Sequence, residues 1–191
     1  GKVNYFEAEY AKMARRVKRI RENPDPTKLR ATSLLYELEM ELRAQQLEAW
    51  KEGRPFCFGP NIPALITSMG FEYLPIQNEA DRVTEAARYF DVLRAHGYPD
   101  HHCDRTIIGV GMVLAGDVPV PAMTLAFNTA CDPIMLMGHT IGQYYSPHYF
   151  CLDMDAVHDD PSERLLSYVT NQLGEWIEFS ESRVPGIKYD Q

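Results

Sequence analysis

The sequence predicts an α/β fold, with a Rossmann-like or flavodoxin-like parallel sheet of about four strands flanked by helices, preceded by a two-helix extension. From residue 53 onward, short apolar segments alternate with longer helical patterns, which is typical of βαβ units. The preceding residues show helical periodicity only. A chain of 191 residues that is 45% hydrophobic is also long enough to bury a core. We therefore divide the chain into an N-terminal helical extension, residues 1–52, and an α/β domain, residues 53–191.

Two amphipathic helices are predicted in the extension. The first covers residues 4–22, where apolar residues recur every three or four positions, and the sequence NPDPTK then breaks the pattern. The second covers residues 31–51, and Gly53 is a natural stop. Its apolar face consists of Leu34, Leu35, Leu38, Leu42, Leu47 and Trp50.

Four strands and five helices are predicted in the α/β domain. The strands are apolar segments flanked by Gly, Pro and Asn, at residues 56–58, 73–76, 123–127 and 149–152. The helices between and after them are at residues 62–69, 79–95, 106–114, 133–145 and 161–181. This alternation predicts a parallel sheet that is covered by helices on both faces.

Charge and hydropathy argue against two classes of partner. The net charge of -8, with 19 basic and 27 acidic side chains, repels phosphate backbones, so we expect no nucleic-acid partner. No window of 18 uninterrupted apolar residues occurs, and the start GKVNYFEAEYAKMARR has no signal-peptide core. We expect no membrane partner and a cytoplasmic location.

Four cysteines are too few for a disulfide scaffold in a chain of this length. Cys57 in PFCFG and Cys151 in YFCLD lie within short apolar strands, where a thiol behaves as a small hydrophobe, so both are predicted to be core residues.

Cys131 has a different setting, in the stretch AFNTACDPIMLMG. It follows a predicted strand and precedes a predicted helix, which places it in the crevice where open α/β sheets bind ligands. The N-terminus of that helix would stabilise a thiolate or an anionic cluster. A structural alternative stays open, in which Cys131 fills the strand end and Asp132 caps the helix.

Cys103 lies in the loop sequence GYPDHHCDR, 28 residues before Cys131. We expect both cysteines to lie in loops that face the same crevice of the sheet. Two thiolates in one crevice suggest an iron-sulfur site. A mononuclear zinc site is disfavoured because adjacent residues rarely converge on one ion. His101, His102 and Asp104 are therefore interpreted as a polar loop with a helix cap.

Other catalytic and nucleotide signatures are missing. The chain has no GxxxxGK[ST] loop and no GxSxG elbow, and GVGMVLAG at residues 109–116 lacks the GxGxxG spacing. Those glycines indicate tight packing or a broken helix. His139, within the helix after Cys131, is interpreted as a core or surface histidine rather than a ligand.

The ordered set of segments from residue 30 to 191 resembles the iron-sulfur subunits of the benzoyl-CoA reductase and 2-hydroxyacyl-CoA dehydratase family. The segments that carry the resemblance are GRPFCFGPNIPALITSMGFEYLPI, HHCDRTIIGVGM, PVPAMTLAFNTACDPIMLMG, SPHYFCLDM and ERLLSYVTNQLGEWIEFSESRVPGIKYD. The third looks closest to the benzoyl-CoA reductase branch. Family members are longer than this chain, so the resemblance covers their N-terminal half.

The resemblance implies a [4Fe-4S] cluster with Cys103 and Cys131 among its ligands, and a further ligand from the second half or a homologous subunit. It also implies an ATP-hydrolysing activator protein that supplies low-potential electrons. The reaction would be one-electron reduction of the thioester carbonyl of an acyl-CoA substrate to a ketyl radical anion, followed by ring reduction or loss of a hydroxyl group.

Three functional hypotheses follow. The first is a subunit of a benzoyl-CoA reductase-like enzyme, with a 2-hydroxyacyl-CoA dehydratase subunit as the alternative within the family. The second is a non-catalytic scaffold domain of a larger complex. A flavodoxin-like binding module has less support, because no phosphate-cradling loop follows Phe58 or Ile76.

Overall fold

The structure, a computed structural model, describes residues 4–29, 31–59, 62–98, 102–128, 131–145, 148–153 and 162–190. They form two compact units, the first ending at Arg54 and the second beginning at Pro55.

The first unit is an antiparallel pair of helices, α1 (Tyr5–Glu22) and α2 (Ala31–Glu52). The side chain of Asn4 begins α1 by accepting a hydrogen bond from the Phe6 N–H at 2.8 Å, as N-cap residues do. Phe6 is buried, and its ring meets that of Trp50 edge-on at 5.6 Å. Since the start of α1 meets the end of α2, the two helices run in opposite directions.

The apolar face predicted for α2 is largely uncovered. Four of its leucines, Leu34, Leu35, Leu38 and Leu42, are 45% to 65% exposed. The buried residues of α2 are instead Arg43, Gln46 and Ala49. Arg43 is held within α2 by the Gln46 side chain, with Nη1 donating to Oε1 at 2.9 Å.

The second unit contains a four-stranded, all-parallel sheet. Its strands are β1 (Phe56–Phe58), β2 (Glu72–Leu74), β3 (Met123–Phe127) and β4 (His148–Leu152), in the order β2-β1-β3-β4. The predicted fold class is confirmed, including the pair of helices that precedes the sheet.

Six helices of the second unit are described: α3 (Pro63–Ser68), α4 (Ile76–Ala80), α5 (Ala86–Ala95), α6 (Asp104–Leu114), α7 (Asp132–Tyr145) and α8 (Glu163–Arg183). The single helix predicted over residues 79–95 is wrong, because a non-helical segment separates α4 from α5. That segment contains the β-branched residues Val83 and Thr84, which have lower helix propensity than unbranched residues.

No helix within the described ranges is both long enough and apolar enough to cross a membrane.

The two faces of the sheet are covered by different helices. On one face, Cys57, Met123 and Leu125 pack with residues of α3 and with Trp176 of α8. On the other face α7 packs on β3 and β4, and α6 packs between α7 and the helices α4 and α5. Eight consecutive residues of α6, from position 106 to 113, are buried, so α6 is a core element of this layer.

Two glycines allow the close packing of α6. A β-carbon at Gly109 would lie 3.3 Å from Ile76 of α4 and 3.5 Å from Met137 of α7. A β-carbon at Gly111 would lie only 2.6 Å from the β-carbon of Tyr89 in α5. Of the two interpretations of GVGMVLAG, tight packing therefore applies, and the helix is unbroken through both glycines.

Candidate functional site

The carboxyl edge of the sheet has a step at its centre. The β1–β3 ladder ends at the pair Phe58 and Thr124, whereas the β3–β4 ladder continues to Phe127 and Leu152. The strand order also reverses between β1 and β3, since β2 lies on one side of β1 and β3 on the other. Ligand sites of open α/β sheets form outside the carboxyl ends of the strands at such a reversal point.

Both predicted site cysteines directly precede helices at this edge. Cys103 is the N-cap residue of α6, and its carbonyl oxygen accepts hydrogen bonds from the N–H groups of Thr106 and Ile107 at 2.9 and 3.0 Å. Cys131 directly precedes α7, and its carbonyl oxygen accepts from the Ile134 N–H at 3.1 Å. Cys103 is exposed and Cys131 partly exposed, so both thiols are accessible.

The packing of α6 on α7 brings the two cysteines to one end of the helix pair. A β-carbon at Gly109 would touch Met137, and the hydroxyl of Tyr145 donates to the Val113 carbonyl oxygen at 3.2 Å. Gly109 precedes Val113 in α6, and its partner Met137 precedes Tyr145 in α7. The two helices therefore run in the same direction. Gly109 and Met137 are each six residues beyond a cysteine, a rise of about 9 Å along each helix.

The end of α5 and the residues directly after it contact α7 through two tyrosines. The hydroxyl of Thr140 in α7 donates to the Leu136 carbonyl oxygen at 2.8 Å, and the Tyr98 hydroxyl oxygen lies 3.5 Å from that of Thr140. The Tyr98 ring packs against His102 at 5.8 Å. The hydroxyl of Tyr144 donates to the His96 carbonyl oxygen at 3.0 Å. These contacts hold residues 96–98 beside α7, the helix that follows Cys131.

An ion pair fixes the start of α6 on its other side. Arg105 Nη2 donates to Asp81 Oδ2 at 2.6 Å and to Asn78 Oδ1 at 3.2 Å, joining α6 to the chain that follows β2. The Arg105 and Asp81 side chains are about half exposed, so this ion pair contributes little to the free energy of unfolding. Its effect is to order the start of α6.

A polar cluster closes the edge beside β4. The Asp153 carboxylate accepts hydrogen bonds from Asn128, at the end of β3, and from the Tyr168 hydroxyl at 2.8 Å. The Gln172 side chain bonds both backbone groups of Asp153, accepting from its N–H at 2.7 Å and donating to its carbonyl oxygen at 2.6 Å. These hydrogen bonds connect the ends of β3 and β4 to α8. The hydrogen bond to Asp153 also raises the pKa of Tyr168.

The other two cysteines have structural positions. Cys57 is fully buried in the core, as predicted, and burial raises the pKa of its thiol, which keeps it protonated and unreactive. Cys151 was predicted to be a core residue, but it is only partly buried because β4 lies at the edge of the sheet.

The histidines do not assemble into a metal site in the part of the chain that the structure describes. His101 lies outside the described residues, and His102 packs against Tyr98. Asp104 is the first residue of α6, and the N-cap, Cys103, makes no side-chain capping bond. His139 is exposed and its ring packs on that of Tyr149 at 4.4 Å. Across the described ranges, no three His, Cys, Asp or Glu side chains are placed to hold a metal ion.

The residues that hold the end of α5 against α7 were not found from the sequence. Tyr98, Thr140 and Tyr144 carry no motif, and their partners are 42 and 48 residues away along the chain. One local signal was present, because Cys103 and Cys131 are each followed directly by an aspartate that begins a helix. An acidic residue in the first turn suits the positive end of the helix dipole.

Comparison with known proteins gives no match, either to a model of a protein family or to a curated protein.

Proposed function

We propose that this chain is part of an iron-sulfur enzyme that reduces acyl-CoA thioesters, similar to benzoyl-CoA reductase. The observation that carries the proposal is the shared direction of α6 and α7, which places Cys103 and Cys131 at the same end of two packed helices. Both lie at the edge where open α/β sheets bind ligands.

The available donors suit part of a [4Fe-4S] site. Cluster ligands are thiolates, and Cys103 and Cys131 are the accessible cysteines at helix starts, where backbone N–H groups favour negative charge. Two thiols leave coordination incomplete, so the remaining ligands would come from a homologous subunit or a second half. A cluster bound there would supply single electrons to the thioester carbonyl, after delivery by an ATP-dependent activator protein.

The chain's own residues would shield and orient this site. Met137 is buried where α7 packs against Gly109 of α6, so an apolar side chain fills the contact between the helices that follow the two cysteines. The Tyr144 hydrogen bond to His96 and the contact of Tyr98 with Thr140 hold residues 96–98, which precede Cys103 in sequence, against α7.

A non-catalytic scaffold domain is the second candidate. It is favoured by the observation that, within the described ranges, no three metal-ligating side chains come together. A 2-hydroxyacyl-CoA dehydratase subunit would use the same cysteines, so iron binding separates the enzyme subunits from the scaffold but does not separate the two enzymes.

Iron content after anaerobic purification tests the proposal. The protein would be produced with its partner subunit or second half, and iron and sulfide measured together with the electron paramagnetic resonance spectrum after reduction. We expect Cys103→Ala and Cys131→Ala each to lower the iron content and change the spectrum.

Matched controls come from the other two cysteines. Cys57→Ala and Cys151→Ala should retain the iron and the spectrum, with a stability loss of about 1 kcal/mol for the buried Cys57. Full iron content in Cys131→Ala, or colourless wild-type protein that stays folded, would contradict the enzyme proposal and favour the scaffold.

A further inference from the structure

A cavity in the first unit has features of an anion site. It lies between the end of α1, the connecting loop and the start of α2, and has a volume of about 510 Å³. Volumes of this order are usual for sites that bind small organic molecules. Its polar lining includes Arg19, Arg21, Lys28, Thr32 and Ser33.

The lining is basic although the whole chain is acidic. Residues 4–29 contain seven basic and four acidic side chains, against a net charge of -8 for the chain. Arg19 and Lys28 form no ion pair with any described residue. Arg21 is fixed by Glu37, with 2.8 Å between Nη2 and Oε1. Arg19 therefore lines the cavity without an ion pair, and Lys28 has only the longer-range attraction of Asp25.

The acidic residue of the described lining, Asp25, is directed into its own loop. Its carboxylate accepts hydrogen bonds from the hydroxyl and the N–H of Thr27, at 2.6 and 2.9 Å, and these bonds, with a smaller effect of the Lys28 charge, lower its pKa. Asp25 therefore fixes the shape of the loop, while Arg19 and Lys28 supply positive charge to the cavity.

Hydroxyl donors and an apolar surface complete the cavity. Thr32 and Ser33 belong to the first turn of α2, which contains no acidic residue. Guanidinium, ammonium and hydroxyl groups together suit the acceptor oxygens of a phosphate group. Ile20 and Leu29 also line the cavity, and Leu29 is 80% exposed, so an apolar group would find a surface next to the cations.

We propose that this cavity binds an organic phosphate ester, with the phosphate group on Arg19 and Lys28 and the apolar part on Leu29 and Ile20. The proposed site lies within the first unit and is independent of the proposed iron site. Nucleotides and CoA esters carry both a phosphate group and an apolar group. Inorganic pyrophosphate carries the phosphate groups only.

Isothermal titration calorimetry on the full 191-residue chain, without iron, tests the proposal. The probes are ADP, CoA and sodium pyrophosphate, each at low and at physiological salt. We expect ADP or CoA to bind more tightly than pyrophosphate, because only they carry an apolar group. Arg19→Gln and Lys28→Gln should each weaken binding by about tenfold, the loss of one charged hydrogen bond.

Lys18→Gln is the matched control, because Lys18 adjoins Arg19 in sequence but points to solvent and pairs with Glu22. It should leave affinity unchanged to within about twofold at physiological salt. Equal losses in Lys18→Gln and Arg19→Gln would overturn the proposal, as would no binding of any probe. Pyrophosphate binding as tightly as ADP would overturn the apolar part of the site. Since no iron is involved, these outcomes leave the iron measurements unaffected.

Discussion

The substitution Gly111→Ala tests the close approach of α5 and α6. The new β-carbon would lie 2.6 Å from the β-carbon of Tyr89 and 3.1 Å from its α-carbon. Ordinary contacts of a β-carbon begin near 3.4 Å, so the two helices must separate by about 0.8 Å. The obstructing atoms belong to the backbone of α5 and the first atom of a side chain, so rotation of the Tyr89 ring cannot relieve the contact.

Two effects of opposite sign set the expected stability. Replacing a helical glycine by alanine favours the helix by up to about 1 kcal/mol. Overpacking a dense core typically costs about 1–3 kcal/mol. Gly174, in the middle of α8, has nothing within 4 Å of its added β-carbon, so Gly174→Ala keeps the first effect and lacks the second. Gly111→Ala should therefore be less stable than Gly174→Ala by about 1–3 kcal/mol.

Urea unfolding followed by far-ultraviolet circular dichroism would measure the free energy of unfolding of both variants and of the wild type. Gly174→Ala should be as stable as the wild type or more stable. If Gly111→Ala gained as much stability as Gly174→Ala, α5 would not lie against α6 as described. The packing that brings α6 to α7 would then need revision too.

Two further substitutions test the pKa shifts and the edge of the sheet. Burial raises the pKa of Tyr73 to about 12. Between pH 10 and pH 12 the folded protein therefore keeps a proton on Tyr73 that the unfolded chain loses. The free energy of unfolding falls as the pH rises through this range. In Tyr73→Phe the urea midpoint should fall less steeply over that range, and equal slopes in variant and wild type would contradict the shift. Gln172→Met should cost roughly 1–3 kcal/mol in urea unfolding, because both backbone groups of Asp153 lose their partner. The exposed neighbour variant Asn171→Ala should change stability by less than about 0.5 kcal/mol, and a similar loss in both would refute the role of Gln172.

Local sequence signals were sufficient for most of the fold. The segments FCF and MTLAF are apolar runs bounded by Gly, Pro or Asn, and both strands have the predicted bounds. The helix starting beside Cys131 was marked by Asp132 and Pro133, which favour a first turn. These features depend on neighbouring residues, which is why a single sequence was enough to predict them.

The sequence by itself determined the alternation of strands and helices, and with it the parallel sheet and the placement of Cys131 at the end of a strand. Tertiary structure alone decided that α2 exposes its leucines, that α6 runs beside α7, and that Tyr144 of α7 bonds the end of α5 at His96. Periodicity records which face of an element is apolar, because that face repeats along the chain. It does not record what covers the face, because the covering residues lie dozens of positions away and meet it only after folding.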